Sequence, residues 1–289
     1  MPELPEVETV KNGLKRLIIE RKIKFADSDN PKSFPNAAYD VEQFLIGSTI
    51  KDVRRRAKVL MIDLSTEYTL VIHLKMTGQL VFVDKATRFG AGHPNDSLID
   101  SLPDKSTRVT IGFDDGSSLF FNDQRKFGWV KLIPTIEVPN LAFMKKVGPE
   151  PLEPDFTAVD FIERFKRRAR AKIKAALLDQ TVIAGVGNIY ADESLWGAKI
   201  HPSRLVGDVS VAEFNELYMQ VRYVMNLSIE KGGSTNRNYV DAEGKKGSYM
   251  DFARVFRREG LPCPRCHTEI VKLKVAGRGT HICPHCQQI

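Results

Sequence analysis

The sequence predicts an α+β protein in two parts: an N-terminal β-sandwich with a leading helix, then a helical region closed by a four-cysteine β-hairpin finger. Three observations predict this. Residues 45–133 hold short β-rich runs, residues 155–230 keep apolar positions at helical spacing, and all four cysteines fall in the last 27 residues.

The leading helix rests on Leu4, Val7, Val10, Leu14, Leu17 and Ile18, which share one helical face. Pro5 suits its first turn, and Glu6 and Glu8 suit the positive end of its dipole. The strands are VLMIDL (59–64), TLVIHL (69–74), RVTIGF (108–113) and SLFFND (118–123), with Asp115-Gly116 as a hairpin turn between the last two. The polar stretch 84–106 reads as a long loop. Five prolines from Pro134 to Pro154 mark an interdomain connection. Beyond it, DFIERFKRRARAKIKAALLD reads as a helix, IAGVGN (183–188) interrupts, and a second helix starts near Asn188. Residues 232–248 are Gly-rich and polar, which predicts a loop.

Composition narrows the function. The chain is 42% hydrophobic and 27% charged, the balance of a globular protein rather than a disordered one. No apolar run approaches the roughly 18 residues of a membrane span, so no membrane partner is expected. The acidic start MPELPEVETV lacks the layout of a signal peptide, which predicts a cytoplasmic protein. Forty-three Lys and Arg against 36 Asp and Glu give a net charge of +7, which favours nucleic acid or another acidic partner.

Cys263-x2-Cys266 and Cys283-x2-Cys286 are two metal knuckles. Four thiolates close a tetrahedral sphere, which predicts one structural Zn2+ with no open position for water. Gly277-Arg278-Gly279 lies between two strand-like runs, so a hairpin presenting Arg278 is expected, with His267, His281 and His285 as bystanders. Two further basic clusters, RFKRRARAKIK (164–174) and Arg54-Arg55-Arg56-Ala57-Lys58, extend a candidate phosphate-binding track. Asn188, at a helix start after two glycines, is placed to hydrogen-bond a phosphate.

MPELPEVETV, RRRAKVL (54–60), HLKMTGQL (73–80), NDQRKFG (122–128), GPEPL (148–152), AGVGNIYADE (184–193) and GRGTHICPHCQ occur in that order from residue 2 to residue 287. With them the chain resembles the bacterial formamidopyrimidine-DNA glycosylases over its full length. The resemblance implies a sandwich domain at 2–133 and an interdomain linker at 134–154. It implies a helix–two-turn–helix DNA-binding domain at 155–250 with a lesion-capping loop at 232–248, and a zinc finger at 251–289. It implies a monomeric, bacterial, nucleoid-associated enzyme of base excision repair acting on double-stranded DNA that contains oxidised bases or abasic sites. The activity implied is a glycosylase removing 8-oxoguanine and formamidopyrimidines through a Schiff base, coupled to an abasic-site lyase cutting by β,δ-elimination. Alternatives are an endonuclease VIII-like enzyme for oxidised pyrimidines and a non-enzymatic zinc-ribbon DNA-binding protein.

The resemblance also implies roles. Pro2, freed of Met1, becomes the nucleophile; taken alone it is a helix-start proline. Glu3 becomes the general acid/base and Glu6 a supporting carboxylate, though both also suit a helix dipole. Lys58 takes phosphate or proton-transfer duty, against a plain surface lysine. His73 contacts a phosphate, against a satisfied core histidine. Asn188 and Arg278 grip the phosphates around the lesion, against a helix cap and an exposed turn residue. Met76, Arg125 and Phe127 fill the void left by the everted base, against ordinary packing for the two apolar ones. Two departures stand out. Phe256-Arg257 replaces a Tyr-Gly pair before the finger, and the 84–106 stretch is long.

Overall fold

A computed structural model describes residues 1–93, 100–234 and 249–289. The chain divides into two compact units: Met1–Lys145 with Lys231–Ser248, and Lys146–Glu230 with Tyr249–Ile289.

In the first unit, helix α1 (Leu4–Ile18) precedes nine strands among the described residues. They are β1 (Ile23–Ser28), β2 (Ile50–Arg56), β3 (Val59–Leu64), β4 (Tyr68–His73), β5 (Gly78–Val83), β6 (Arg88–Gly92), β7 (Thr107–Phe113), β8 (Ser118–Asp123) and β9 (Trp129–Pro134). A five-stranded sheet runs β1-β7-β8-β5-β6 and a four-stranded sheet runs β2-β3-β4-β9, each with antiparallel neighbours. Val7, Val10, Leu14 and Ile18 of α1 join one core with the inward residues of both sheets, such as Leu60, Ile62, Phe82 and Phe121. The helical spacing seen in the sequence is the spacing of this buried face.

Strand β6 corrects the expectation of a featureless loop at 84–106. RFGAG carries little β-propensity of its own. It becomes a strand because it pairs with β5 and because Phe89 is buried under α1. The fit is close enough that a Cβ at Gly13 would stand 1.9 Å from the Phe89 ring. Residues 94–99 of that stretch lie outside the described residues.

The proline-rich segment is also more structured than its composition suggests. Thr135–Asn140 forms a 3-10 helix and Ala142–Lys146 a short α-helix. Val138 packs with Val59, Met61 and Val71, so the start of the segment belongs to the first unit.

In the second unit, the basic run that reads as one helix is broken in two. Helix α2 (Ala158–Lys166) ends, a turn follows, and α3 (Ile173–Leu178) begins. Backbone bonds from Gly207 N to Ala169 O and from Val206 N to Ala171 O hold the turn open, so tertiary pairing overrides local propensity. Helices α4 (Asn188–Gly197) and α5 (Val211–Glu230) follow. Phe161 and Phe165 of α2 stack at 4.3 Å and meet Phe214 of α5 edge-on. The finger hairpin is β10 (Val271–Val275) and β11 (Arg278–Ile282).

Candidate catalytic and DNA-contacting sites

Helix α1 sets the N-terminal site. Pro2, Glu3 and Glu6 are all buried. Glu3 and Glu6 form a capping box, each side chain accepting from the other's backbone N–H, with Glu3 N donating to Glu6 Oε2 at 2.8 Å. The other Glu6 oxygen accepts from Ser234 N at 2.9 Å. One carboxylate therefore joins the chain start to the segment that enters 235–248, whose residues lie outside the described ones. The lesion-capping assignment falls on that segment.

The β2–β3 turn is tied to the same helix. Arg55 Nε donates to Glu8 Oε2 at 2.7 Å, and Arg55 Nη1 to Ala57 O at 3.0 Å. Burial alone would raise the Glu8 pKa, but Lys11 and Arg55 hold it below the ordinary carboxylate value. Arg54 is engaged by Asp63. Two of the three arginines first placed on a phosphate track thus serve the fold. Lys58, next in the turn, is buried.

Register brings His73 to Lys58, because Val59 pairs with His73 across β3 and β4. Burial, with Lys75 and Lys58 nearby, pushes the His73 pKa down to about 3. The ring is neutral near pH 7. Its Nδ1 accepts from Lys75 N at 3.0 Å, which places the ring proton on Nε2 as a donor.

Met76 and Phe127 are 39% and 55% exposed, which excludes ordinary core packing for both. Arg125 lies over the Phe127 ring at 4.8 Å. Their turns are joined by Asp123, a fully buried residue that the sequence reading passed over. Its Oδ2 accepts from Phe127 N at 2.8 Å and Gly128 N at 2.7 Å. Its Oδ1 accepts from Arg125 N at 3.2 Å and from the Thr77 hydroxyl, one residue past Met76. Gly128 is needed there, since a Cβ would stand 2.6 Å from the Phe121 ring and 3.1 Å from the carboxylate. The signal in the sequence was an Asp placed just before a short turn ending in Gly.

In the second unit, α4 carries the finger. Asn188 Nδ2 donates to Gly279 O at 3.0 Å, so the structure brings Asn188 to the hairpin beside Arg278. Fully buried Lys174 and Asp192 pair at 2.6 Å. Lys174 Nζ also donates to Gly279 O at 3.1 Å and Thr280 Oγ1 at 2.7 Å, and His281 N donates to Asp192 Oδ2 at 2.9 Å. His281 stays outside the four-cysteine metal group, as expected, but its ring Nδ1 lies 3.2 Å from that same oxygen, so it belongs to this network. Glu193 accepts from the backbone N–H of Arg254, Val255 and Phe256 at 2.8–3.0 Å, fixing the entry to the finger. The turn of the hairpin is Ala276-Gly277, both at positive φ, so Arg278 stands just past the turn and is exposed.

The four cysteines are free, and their sulfurs all lie within 4.8 Å of one another. Tetrahedral Zn–S bonds of about 2.3 Å require S···S separations near 3.8 Å, so the set fits one zinc ion. Cys263–Cys286 at 4.0 Å and Cys266–Cys283 at 3.4 Å are far beyond disulfide length. Burial pushes the Cys283 thiol up to about 12, a penalty on the thiolate that a divalent cation removes. A bound zinc supplies a structural cross-link and no reactive position.

With this geometry in place, comparison with known proteins decides the kinship. Residues 1–130 match the formamidopyrimidine-DNA glycosylase N-terminal domain, 147–240 its H2TH domain, and 260–289 the zinc finger found in FPG and IleRS. The chain belongs to the formamidopyrimidine-DNA glycosylase family. Relatives named formamidopyrimidine-DNA glycosylase in Desulforamulus reducens (41% identical, 100% of this chain and 99% of theirs) and Herpetosiphon aurantiacus (42%, 99% and 100%) align end to end. Among solved structures, a Lactococcus lactis FPG mutant with Fapy-dG-containing DNA superposes at TM-score 0.87, 36% identity and full coverage of both chains. A MutM complex with carbocyclic 8-oxo-G DNA gives 0.86 at 35% identity, again over both whole chains. A Lactococcus lactis Fpg complex with DNA containing an oxidised pyrimidine gives 0.86 at 35%, with the same coverage. Among the described residues of this family member, no helix is long and apolar enough to cross a membrane.

Proposed function

We propose that this chain is a bifunctional DNA glycosylase and abasic-site lyase of base excision repair that removes oxidised purines from duplex DNA. The observation that carries the reading is the buried start of α1, where Pro2 adjoins the Glu3–Glu6 carboxylate box.

Removal of Met1 turns the Pro2 nitrogen into a secondary amine. An α-amino group titrates near about 8, so part of it is nucleophilic at neutral pH. It attacks the sugar C1′, the C1′–N bond to the damaged base breaks, and the base leaves with a proton. Glu3 protonates the ring oxygen as the sugar opens, leaving an iminium between Pro2 and C1′. The iminium acidifies the C2′ proton; its loss expels the 3′ phosphate by β-elimination, and a second, δ-elimination expels the 5′ phosphate. Glu6, with both oxygens taken by Glu3 N and Ser234 N, positions the terminus and moves no proton.

In this reading Lys58 and the Nε2–H of neutral His73 serve phosphates on the first unit, and Asn188 and Arg278 serve them on the second. Met76 and Phe127 enter the void of the everted base and Arg125 pairs the orphaned base. The functional parts are then a catalytic domain at 2–133, a linker at 134–154, a DNA-binding helical domain at 155–250 with its capping loop at 232–248, and a finger at 251–289. The enzyme works as a monomer in the bacterial cytoplasm, held at the nucleoid by DNA. Oxidised pyrimidines form a second substrate class, a reading favoured by the oxidised-pyrimidine complex of the Lactococcus lactis relative.

The test is borohydride trapping on an 8-oxoguanine duplex. Protein beginning at Pro2 is expected to give a covalent adduct, and protein retaining Met1 to give none. Trapping by the Met1-retaining form would overturn the role of Pro2.

A further inference from the structure

The zinc thiolates have unequal surroundings. Cys263 Sγ accepts from Arg265 N at 3.5 Å within its own knuckle. It also faces the indole of Trp196, which lies on α4 and not on the finger. Trp196 is buried in one cluster with Cys263, Cys283, Val255 and Ile270. Its Nε1–H is buried and has no hydrogen-bond partner among the described residues. A buried donor left without an acceptor is destabilising, so one is expected close by. The Cys263 sulfur, packed with the indole in that same buried cluster, is the acceptor it faces. A neutral thiol is a weak acceptor, whereas a metal-bound thiolate is a strong, charge-assisted one. The indole donor is therefore satisfied in full only when the metal is bound.

The surroundings of the ring point the same way. The guanidinium carbons of Arg265 and Arg254 lie 4.0 Å and 4.7 Å from its centre. Two cations over an indole polarise its N–H and strengthen it as a donor. They also oppose the net −2 charge that four thiolates leave on a zinc ion. Arg265 further donates to Trp196 O at 3.2 Å and Gly197 O at 3.3 Å, so the first knuckle caps the C-terminal end of α4.

We propose that Trp196 is an outer-sphere donor to the zinc site, its indole N–H binding the Cys263 thiolate and tying the metal to the helix that begins at Asn188. The bond withdraws electron density from that sulfur, slows loss of the metal and lowers attack on the thiolate by oxidants or electrophiles. This rests on the four-thiolate zinc site and is independent of the glycosylase reading, so it is tested without DNA.

The experiment uses the full chain in three forms: wild type, Trp196→Phe, and benzothienylalanine at 196, which keeps the bicyclic shape but carries sulfur in place of N–H. Each is loaded with Co2+ and, separately, with Zn2+. The sulfur-to-cobalt charge-transfer band is expected to move to lower energy in both altered proteins. Zinc transfer to a chromogenic chelator is expected to be on the order of tenfold faster in both. A benzothienylalanine protein with the band and release rate of wild type would overturn the proposal, even if Trp196→Phe lost zinc, because packing alone would then explain the indole. Wild type that takes up no cobalt would instead remove the zinc site on which the proposal rests.

Discussion

The two candidate DNA-facing regions are built on opposite plans. In the first unit, Met76, Arg125 and Phe127 project from turns whose backbones are tied together beneath them by Asp123. In the second, Asn188 and the finger strand are themselves bound into a buried charged network around Lys174 and Asp192. The difference teaches that the fold fixes the backbone and leaves the side chains exposed at the turns proposed to enter a duplex. It fixes side chains where a strand must be held at one distance from a helix. A buried ion pair adds little net stability over a well-packed apolar pair, which makes placement the better account of Lys174–Asp192.

The sharpest test lies outside both regions, at the chemistry proposed for the start of α1. Glu3→Gln is expected to lower base excision by about 10³-fold, within the range of a positioned general acid, while cleavage of a ready-made abasic site survives in part. Excision and abasic cleavage assayed side by side check this. Equal retention of both activities would remove Glu3 from its role.

The finger network comes next. Lys174→Met strands the Asp192 carboxylate and is expected to destabilise the second unit by about 3 kcal/mol. The double change Lys174→Met with Asp192→Leu is expected to recover most of that stability in urea titrations. Its affinity for an abasic duplex should stay low, because Gly279 and His281 have lost their anchor. If the double variant recovered affinity as well as stability, the network would be packing and not placement.

Asp123→Asn probes the other plan and is expected to act more mildly. The amide keeps one acceptor but turns a donor toward backbone N–H groups, a loss of roughly 2 kcal/mol. Excision should fall more than abasic cleavage, since the turns carrying Met76 and Phe127 loosen while the Pro2 end of α1 is untouched. Parallel losses in both activities would show that Asp123 serves the fold alone.

His73 gives a pH-dependent check. Its folded pKa of about 3 lies below the ordinary 6.5. Between those values the unfolded chain binds a proton that the folded chain refuses, so stability falls as pH drops from about 6.5 toward 3. Stability measured from pH 7 to pH 4 should decline less steeply in His73→Gln than in wild type. Matching slopes would mean the imidazole is more accessible than its burial indicates.

Much of this was legible in the sequence, for physical reasons that differ by residue. The face of α1, four of the strands and the cysteine spacing are local periodicities, and they appear where the pattern placed them. Strand β6 was hidden because RFGAG is a strand only through its partner β5 and the groove left by Gly13. The break at 167–172 was hidden for the same reason, as its hydrogen bonds go to residues 206 and 207. Asp123, Lys174, Asp192 and Glu193 were overlooked because a charged residue in a sequence suggests surface. Their buried partners are either backbone N–H groups, which leave no mark in a sequence, or lie 18 to 106 residues away. Arg54 and Arg55 show the converse, basic residues suggestive of phosphate that turn out to serve Asp63 and Glu8.

Arg278 should give the smallest effect and the cleanest reading. It is exposed just past the hairpin turn, while the next residues, Gly279 and Thr280, are held by Lys174. The anchor thus leaves the guanidinium itself uncommitted. If it neutralises one phosphate, Arg278→Ala removes one contact, and the slope of log K against log salt should shrink by about 0.9 on duplex DNA. Thermal stability should stay near wild type, because no buried group loses a partner. An unchanged slope with weaker binding would place Arg278 on a base or sugar instead. An unchanged slope with unchanged binding would mean that the finger is fixed in place for some residue other than its exposed arginine.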